Sequence, residues 1–293
     1  MRTEHWACNF FNQEIITIAA LQGGLQHHLD LIKLADGSQW VCKAFSSRTW
    51  LGQVTYQQLL ATEKITSLIA DELNLTYRAL CPVNSSPILT LKKGYGIIRP
   101  FYEGNISSII SIRQAHILGG VLARIHLLNL TTENALPFPA INWPKTTPCP
   151  NWLRDIINQC NASLAAESWL VSHRDIHATN IVWQAHNRLH LIDWESAGLI
   201  HPGIELVGLA CNCAGITRGY FSEQLFLATL QGYRQFRAIP AIANDDWHLI
   251  WQSWLLWYRF VVKQQLSEEI LATETTLHLL KNKQNCLRHL YKS

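Results

Sequence analysis

The sequence predicts an α+β chain of two lobes: a small antiparallel sheet with one main helix, then a larger and mostly helical part. Three observations predict it. Short β-rich runs punctuated by glycine turns fill most of the first hundred residues, and one uninterrupted helical pattern sits among them. After a short connector at Pro100 to Gly104, apolar positions recur at helical spacing almost to the end. The boundary is accordingly placed between a lobe over residues 1–100 and a lobe over residues 101–293.

Each element has a local reason. Ile15 to Leu21 is a β-rich run that ends at Gly23-Gly24. Leu29 to Leu34 and Trp40 to Phe45 flank Asp36-Gly37, a pair suited to the positive φ of a tight hairpin turn. From Val54 to Leu73 the positions Leu59, Ile65, Leu68, Ile69 and Leu73 keep three- and four-residue spacing without Gly or Pro. Pro82 to Pro87 breaks that pattern, and Lys92-Lys93-Gly94 joins two further strands, Ile88 to Leu91 and Tyr95 to Arg99. In the second lobe Ile117, Leu118, Val121, Leu122, Ile125 and Leu128 form one apolar helix face. The proline-rich stretch Leu136 to Pro150 reads as a loop. Two short apolar runs around Gln184 to Arg188 read as a small hairpin, and helices dominate from Ser222.

Composition narrows the function classes. Of 293 residues 48% are hydrophobic and only 15% charged, which excludes a disordered chain or a coiled coil. The net charge is +3 and the basic residues are scattered, too thin a footprint for a nucleic-acid partner. The first residues lack the long apolar core of a signal peptide, and the most apolar tract, Ile204 to Ile216, carries Glu205 and Asn212. The reading is a soluble cytoplasmic protein without a membrane span, whose eight cysteines are thiols.

The chemistry concentrates in His173-Arg174-Asp175-Ile176-His177-Ala178-Thr179-Asn180, followed beyond the small hairpin by Leu191-Ile192-Asp193-Trp194-Glu195. Phosphoryl transfer from a nucleotide needs an acceptor for the attacking hydroxyl's proton, and hard oxygen ligands for the Mg²⁺ that bridges the phosphates. An Asp, an Asn five residues on, and an Asp closing an apolar strand supply that set in the H-R-D-x-x-x-x-N pattern of kinase catalytic loops. Asp175 and Asn180 are also ordinary turn formers. Asp193 argues further, because a lone carboxylate ending a buried strand is costly unless something pairs with it. His173 and His177, four residues apart, lack a third ligand for zinc; His173 reads as a brace for the loop.

HRDIHATNIVW followed by LIDWESAG resembles the signature of the aminoglycoside phosphotransferase and choline kinase family, with thiamine-kinase-like features, which has a bilobal protein-kinase-like fold. The resemblance implies an ATP-dependent small-molecule kinase acting on a hydroxyl of an amino alcohol-type acceptor. It implies Asp175 as catalytic base and Asn180 and Asp193 as Mg²⁺ ligands. It further implies a nucleotide site built from Gly23 and Gly24 over the phosphates, Lys43 on the third strand, Glu63 on the following helix to hold that lysine, and a hinge at Phe101 and Tyr102. Glu205 stands in Gly203-Ile204-Glu205-Leu206 where the family usually has Asp-Leu-Ala, and would anchor the catalytic loop. Trp247, Trp251, Trp254 and Tyr258 recur at helical spacing and would form either core or a wall for a cationic acceptor; Trp254 and Tyr258 with Glu195 and Glu205 are the candidates for holding that acceptor. A protein kinase fits less well, because Asp-Trp-Glu replaces Asp-Phe-Gly. The alternative is a non-catalytic nucleotide-binding or interaction protein of the same fold.

Overall fold

The computed structural model describes residues 5–21, 25–82, 86–131, 135–144, 147, 149–162 and 168–293. Gly23 and Gly24 lie outside the described residues. Along the first lobe come β1 (Ile15–Ala20), β2 (His28–Leu34), β3 (Gln39–Ala44), the two-residue pair β4 (Arg48–Thr49) and β5 (Gly52–Gln53), helix α1 (Tyr56–Leu73), β6 (Leu89–Leu91) and β7 (Gly94–Pro100). One antiparallel sheet takes five of the strands in the order β1-β2-β3-β7-β6. Gly37 adopts φ +85°, as the Asp36-Gly37 turn requires, and Asp36 Oδ1 accepts the Ser38 amide at 2.8 Å. A reciprocal cap between Thr55 and Gln58 starts α1, and Asn74 at φ 51° ends it in the left-handed conformation.

Register decides which side chains meet. Lys43 on β3 pairs with Ile97 on β7, and Val41 pairs with Arg99. Paired residues point to the same side and alternate residues share a face, so Lys43 and Arg99 emerge on one face, one pleat apart.

The second lobe contains α2 (Ile112–Leu127), α3 (Asn151–Ala162), β8 (Leu170–Ser172), β9 (Ile181–Trp183), β10 (Leu189–Leu191), β11 (Gly198–Ile200), α4 (Pro202–Cys213), α5 (Glu223–Arg234), α6 (Gln252–Gln264) and α7 (Ser267–Lys292). β9 and β10 form the expected hairpin, and β8 pairs with β11. The predicted α2 face is buried through Leu118, Val121, Leu122 and Ile125. All eight cysteines are free thiols. No helix among the described residues is long and apolar enough to cross a membrane.

The tryptophan stripe corrects the sequence reading. Residues Asn244–Trp251 wind as a 3₁₀ turn and only Gln252–Gln264 is α-helical. Three residues per turn in the first part and 3.6 in the second take the side chains off a common face. Trp247 and Trp251 are core, at 0% and 1% exposure. Tyr258 is also buried, its hydroxyl donating to Glu274 at 2.5 Å.

The tightest helix contact is the crossing of α2 and α5. A Cβ on Gly119 would lie 1.9 Å from the Thr229 carbonyl oxygen, and one on Gly232 would lie 1.8 Å from that of His116. Alanine is ordinarily the better helix former by ~1 kcal/mol. Gly119→Ala and Gly232→Ala should nevertheless lower the melting temperature by several degrees, because each forces the backbones apart. Gly208→Ala in α4, where a Cβ meets nothing within 4 Å, should hold or raise it in the same calorimetric series.

Candidate active site

The loop between β8 and β9 is fixed almost entirely by its own side chains. His173 is fully buried; its Nε2–H donates to the Ile192 carbonyl at 3.0 Å, and its Nδ1 accepts the Asp175 amide at 3.3 Å. Both ring nitrogens are therefore used in the neutral form, and burial holds the imidazole below its ordinary pKa. Arg174 sits at φ 66°, with Nε donating to the Ser196 carbonyl at 2.5 Å and its guanidinium carbon 4.3 Å from the Phe138 ring centre. Gly198 makes room for it: a Cβ there would come within 2.6 Å of the Arg174 guanidinium carbon. The Asn180 Nδ2–H donates to the Asp175 carbonyl at 3.0 Å, closing the loop.

Glu205 holds this loop from below. Its Oε1 accepts the Arg174 amide at 2.7 Å and its Oε2 accepts His126 Nε2–H at 2.8 Å; His126 Nδ1 lies 2.8 Å from the Tyr233 hydroxyl. Burial alone would raise this carboxyl, but its hydrogen bonds, led by His126, hold it below the usual range. His126 comes from α2 and Tyr233 from α5, so the glycine crossing supports the loop through one continuous chain of contacts.

Asp193 follows β10 in the left-handed conformation, φ 61°, and begins a 3₁₀ turn over Trp194–Ser196. Trp194 turns inward, its indole donating to the Leu191 carbonyl at 2.9 Å. Lys43 Nζ lies 2.9 Å from Asp193 Oδ1 and also bonds Glu195. The two carboxylates outweigh the desolvation that would lower it, so the ammonium is held above its ordinary pKa. Asp175 is shifted upward, first by burial and also by Asp193 and Glu195, with His177 and His173 opposing.

Lys43, Asp175, Asn180 and Asp193 all open on one cavity of about 400 Å³ between the lobes. Trp169, Trp254, Trp257 and Glu269 also line it. Among the described residues no group of three His, Cys, Asp or Glu side chains forms a metal cage.

Residues 111–243 match the sequence profile of the phosphotransferase enzyme family. That span is less than half of the chain, and over it the sequence is similar to this family. Solved structures extend the likeness to the whole fold. The choline kinase from Streptococcus pneumoniae is 17% identical with a TM-score of 0.64, over 90% of this chain and 94% of that one. An amicoumacin kinase, solved with AMP-PNP and Ca²⁺, is 11% identical with a TM-score of 0.68, over 91% and 88%. The aminoglycoside phosphotransferase from Alicyclobacillus acidocaldarius is 11% identical with a TM-score of 0.64, over 97% and 94%. At these identities the likeness establishes the kinase-like bilobal fold. No curated protein matches the chain by sequence.

The phosphotransferase-family span contains α2, the Asp175 loop, Asp193, Glu205 and α5, while Lys43 and α6 lie outside it. Several expected positions are corrected around this frame. Glu63 does not hold Lys43. It bonds Arg99, and its Oε1 accepts the Ala79 amide at 3.0 Å, because the β3–β7 register puts Arg99 on the face that α1 covers. Glu195 is the partner of Lys43 and also lies 3.1 Å from His27 Nε2, both contacts falling on Oε1, and it lines the cavity. Glu205 has both oxygens committed to Arg174 and His126; the anchoring expectation describes it, the acceptor expectation does not. Tyr102 is 8% exposed, stacks on Tyr77 at 4.6 Å and lies 2.9 Å from Thr76 Oγ1 through its hydroxyl, while the Phe101 amide donates to Gln39; neither residue lines the cavity. Of the aromatic candidates Trp254 faces the cavity and Tyr258 does not. His27, His126, Tyr233, Trp257 and Glu269 were not legible as site residues, since no local spacing links any of them to the catalytic loop.

The neutral His173 sets a pH dependence. Its folded pKa lies below the ordinary imidazole value of ~6.5. Its contribution is complete above that value and is lost as pH falls toward the folded one, because the unfolded chain then binds a proton that the folded one refuses. Urea midpoints should fall as pH drops below ~6.5. His173→Gln should be less stable at pH 7.5 yet titrate with a shallower slope, by about one proton; an unchanged slope would remove His173 from the linkage.

Proposed function

We propose that the protein is an ATP-dependent small-molecule kinase that moves the γ-phosphate of ATP onto a hydroxyl of a cationic, amino alcohol-type acceptor. The observation that carries this reading is the convergence of Lys43, Asp175, Asn180 and Asp193 on one cavity that Trp169, Trp254 and Trp257 also line. Lys43 is the cation for the phosphates. Asp175 receives the proton of the acceptor hydroxyl as its oxygen bonds to the γ-phosphorus and the bond to the bridging oxygen of ADP breaks. An upward-shifted carboxyl is a better base than an ordinary one.

The donor set fits Mg²⁺. Asn180 Nδ2 is committed to the Asp175 carbonyl, which leaves the amide oxygen as its ligating end, and Asp193 adds a carboxylate. One or two protein oxygens suit Mg²⁺, which takes its other ligands from phosphate and water. Bound there, the ion would offset charge on the phosphate oxygens.

Asp175→Asn should lower kcat by ~10²–10⁴ with nucleotide affinity nearly intact, since a base acts in the chemical step. The assay is ATP consumption over amino alcohols, thiamine, aminoglycosides and neutral sugars. Wild-type turnover in Asp175→Asn would overturn the assignment.

For the acceptor, Trp254, Trp257 and Glu269 line the same cavity, and cation–π contacts are worth ~0.5–2 kcal/mol each. Matched acceptors differing only in a charged nitrogen should differ in kcat/KM by about tenfold or more, and Trp254→Leu should erase most of that difference. A neutral sugar phosphorylated as well as the best cationic alcohol would return Trp254 to a packing role.

A further inference from the structure

We infer that Glu195, steadied by His27, is the positioning residue for Lys43, doing from the helical lobe what a carboxylate on α1 was expected to do from within the sheet lobe. The inference rests on the kinase reading only for what Lys43 binds; the contacts stand without it.

Glu63, the expected partner, is saturated. It is 3% exposed and takes Arg99, the Ala79 amide at 3.0 Å and Ser67 Oγ at 3.4 Å. Lys43 is itself 7% exposed, and a buried ammonium needs an anion. It finds Asp193 and Glu195, which the left-handed Asp193 and the following 3₁₀ turn present two residues apart with Trp194 directed into the core. Asp193 is called on by the proposed cation; Glu195 is the carboxylate left to fix the lysine.

His27 makes Glu195 a fixed point. The Ser46 amide donates to His27 Nδ1 at 3.2 Å, so Nε2 carries the proton and gives it to Glu195 Oε1 at 3.1 Å. That same oxygen accepts from Lys43. Phe45 completes the seat, with His27 edge-on at 5.2 Å and Lys43 Nζ 5.6 Å from its ring centre. Gln26, the preceding residue, accepts the Trp50 amide at 2.9 Å. The segment from Gln26 to Trp50, Lys43 and Glu195 thus form one unit that spans both lobes. In such an arrangement the lysine is placed by closure of the lobes, not by the tilt of α1.

The test is a double-mutant cycle on ADP binding by calorimetry, in EDTA and again in Mg²⁺, with wild type, Glu195→Gln, Lys43→Met and the pair. Glu195→Gln and Lys43→Met should each weaken ADP about tenfold in EDTA, and the pair should be no weaker than Lys43→Met alone, because Glu195 acts through the lysine. Losses that multiply, or a Glu195 effect present only in Mg²⁺, would make Glu195 a ligand of the ion and overturn the inference. Tighter ADP in Glu195→Gln would make it a competitor of the phosphates and overturn it equally. A second readout needs no nucleotide. Amide exchange at Ser46 and Trp50 should quicken several-fold in Glu195→Ala as His27 loosens. Unchanged exchange would sink the His27 link. A wild type that binds no nucleotide but shows the exchange response would overturn the kinase reading and leave the lysine's seat in place.

Discussion

The buried carboxylate of Glu205 is the constraint on which the rest of the site depends. It is 6% exposed and carries two hydrogen bonds in opposite directions, one to the backbone of Arg174 and one to His126. A backbone amide in the left-handed conformation is an unusual thing to hold, and Arg174 at φ 66° keeps it only because this carboxylate and the Ser196 and Leu136 carbonyls over-determine the residue. The guanidinium rests over Phe138, and Asp175, the next residue, opens on the same cavity. Glu205 is in turn held because α2 and α5 touch at glycine, which brings His126 and Tyr233 within reach of α4. A carboxylate desolvated to this degree is expensive to leave unpaired, so the contact specifies geometry more than it adds stability.

What could be read from the sequence follows from distance along the chain. Asp175, Asn180 and Asp193 stand within eighteen residues and two short strands of one another, so their convergence is a local matter. The β3 lysine was legible too, because strand alternation fixes its face. Partner choice was not. Whether Glu63 meets Lys43 or Arg99 depends on the β3–β7 register, and Arg99 lies 36 residues further on than Glu63. His126 meets Glu205 across 79 residues, and no periodicity reports such a pair. The tryptophan stripe failed for a different reason. Spacing carries meaning only at constant winding, and a 3₁₀ segment before Gln252 changes the angular step in the middle of the pattern.

The aromatic residues divide by depth. Trp247 and Trp251 are packed without exposure, and Tyr102 and Tyr77 stack at the lobe junction against His190, whose ring centre lies 4.6 Å from that of Tyr102. Trp169, Trp254 and Trp257 remain for the cavity, where a ring face costs little to leave in contact with water and gains when a cation displaces that water.

Charge at the cavity gives the proposed chemistry its internal consistency. Asp175, Asp193, Glu195 and Glu269 line it with Lys43, so the carboxylates outnumber the ammonium there. Arg174 also lines it, but its guanidinium is bonded to the Ser196 carbonyl and stacked on Phe138. Such a surface repels a bare polyphosphate except near Lys43, and it raises Asp175 through its neighbours as well as through burial. A divalent ion beside Asn180 and Asp193 would offset the surplus on the nucleotide side. Glu269 and three indoles also line the cavity, where on the proposed function a positive acceptor would offset what remains. On that same proposal, a neutral acceptor would leave the surplus without a counter-charge, the less favourable arrangement in a partly dehydrated cavity. On the proposed function, the same surplus of negative charge that joins burial in raising Asp175 would favour a cation on either side of it.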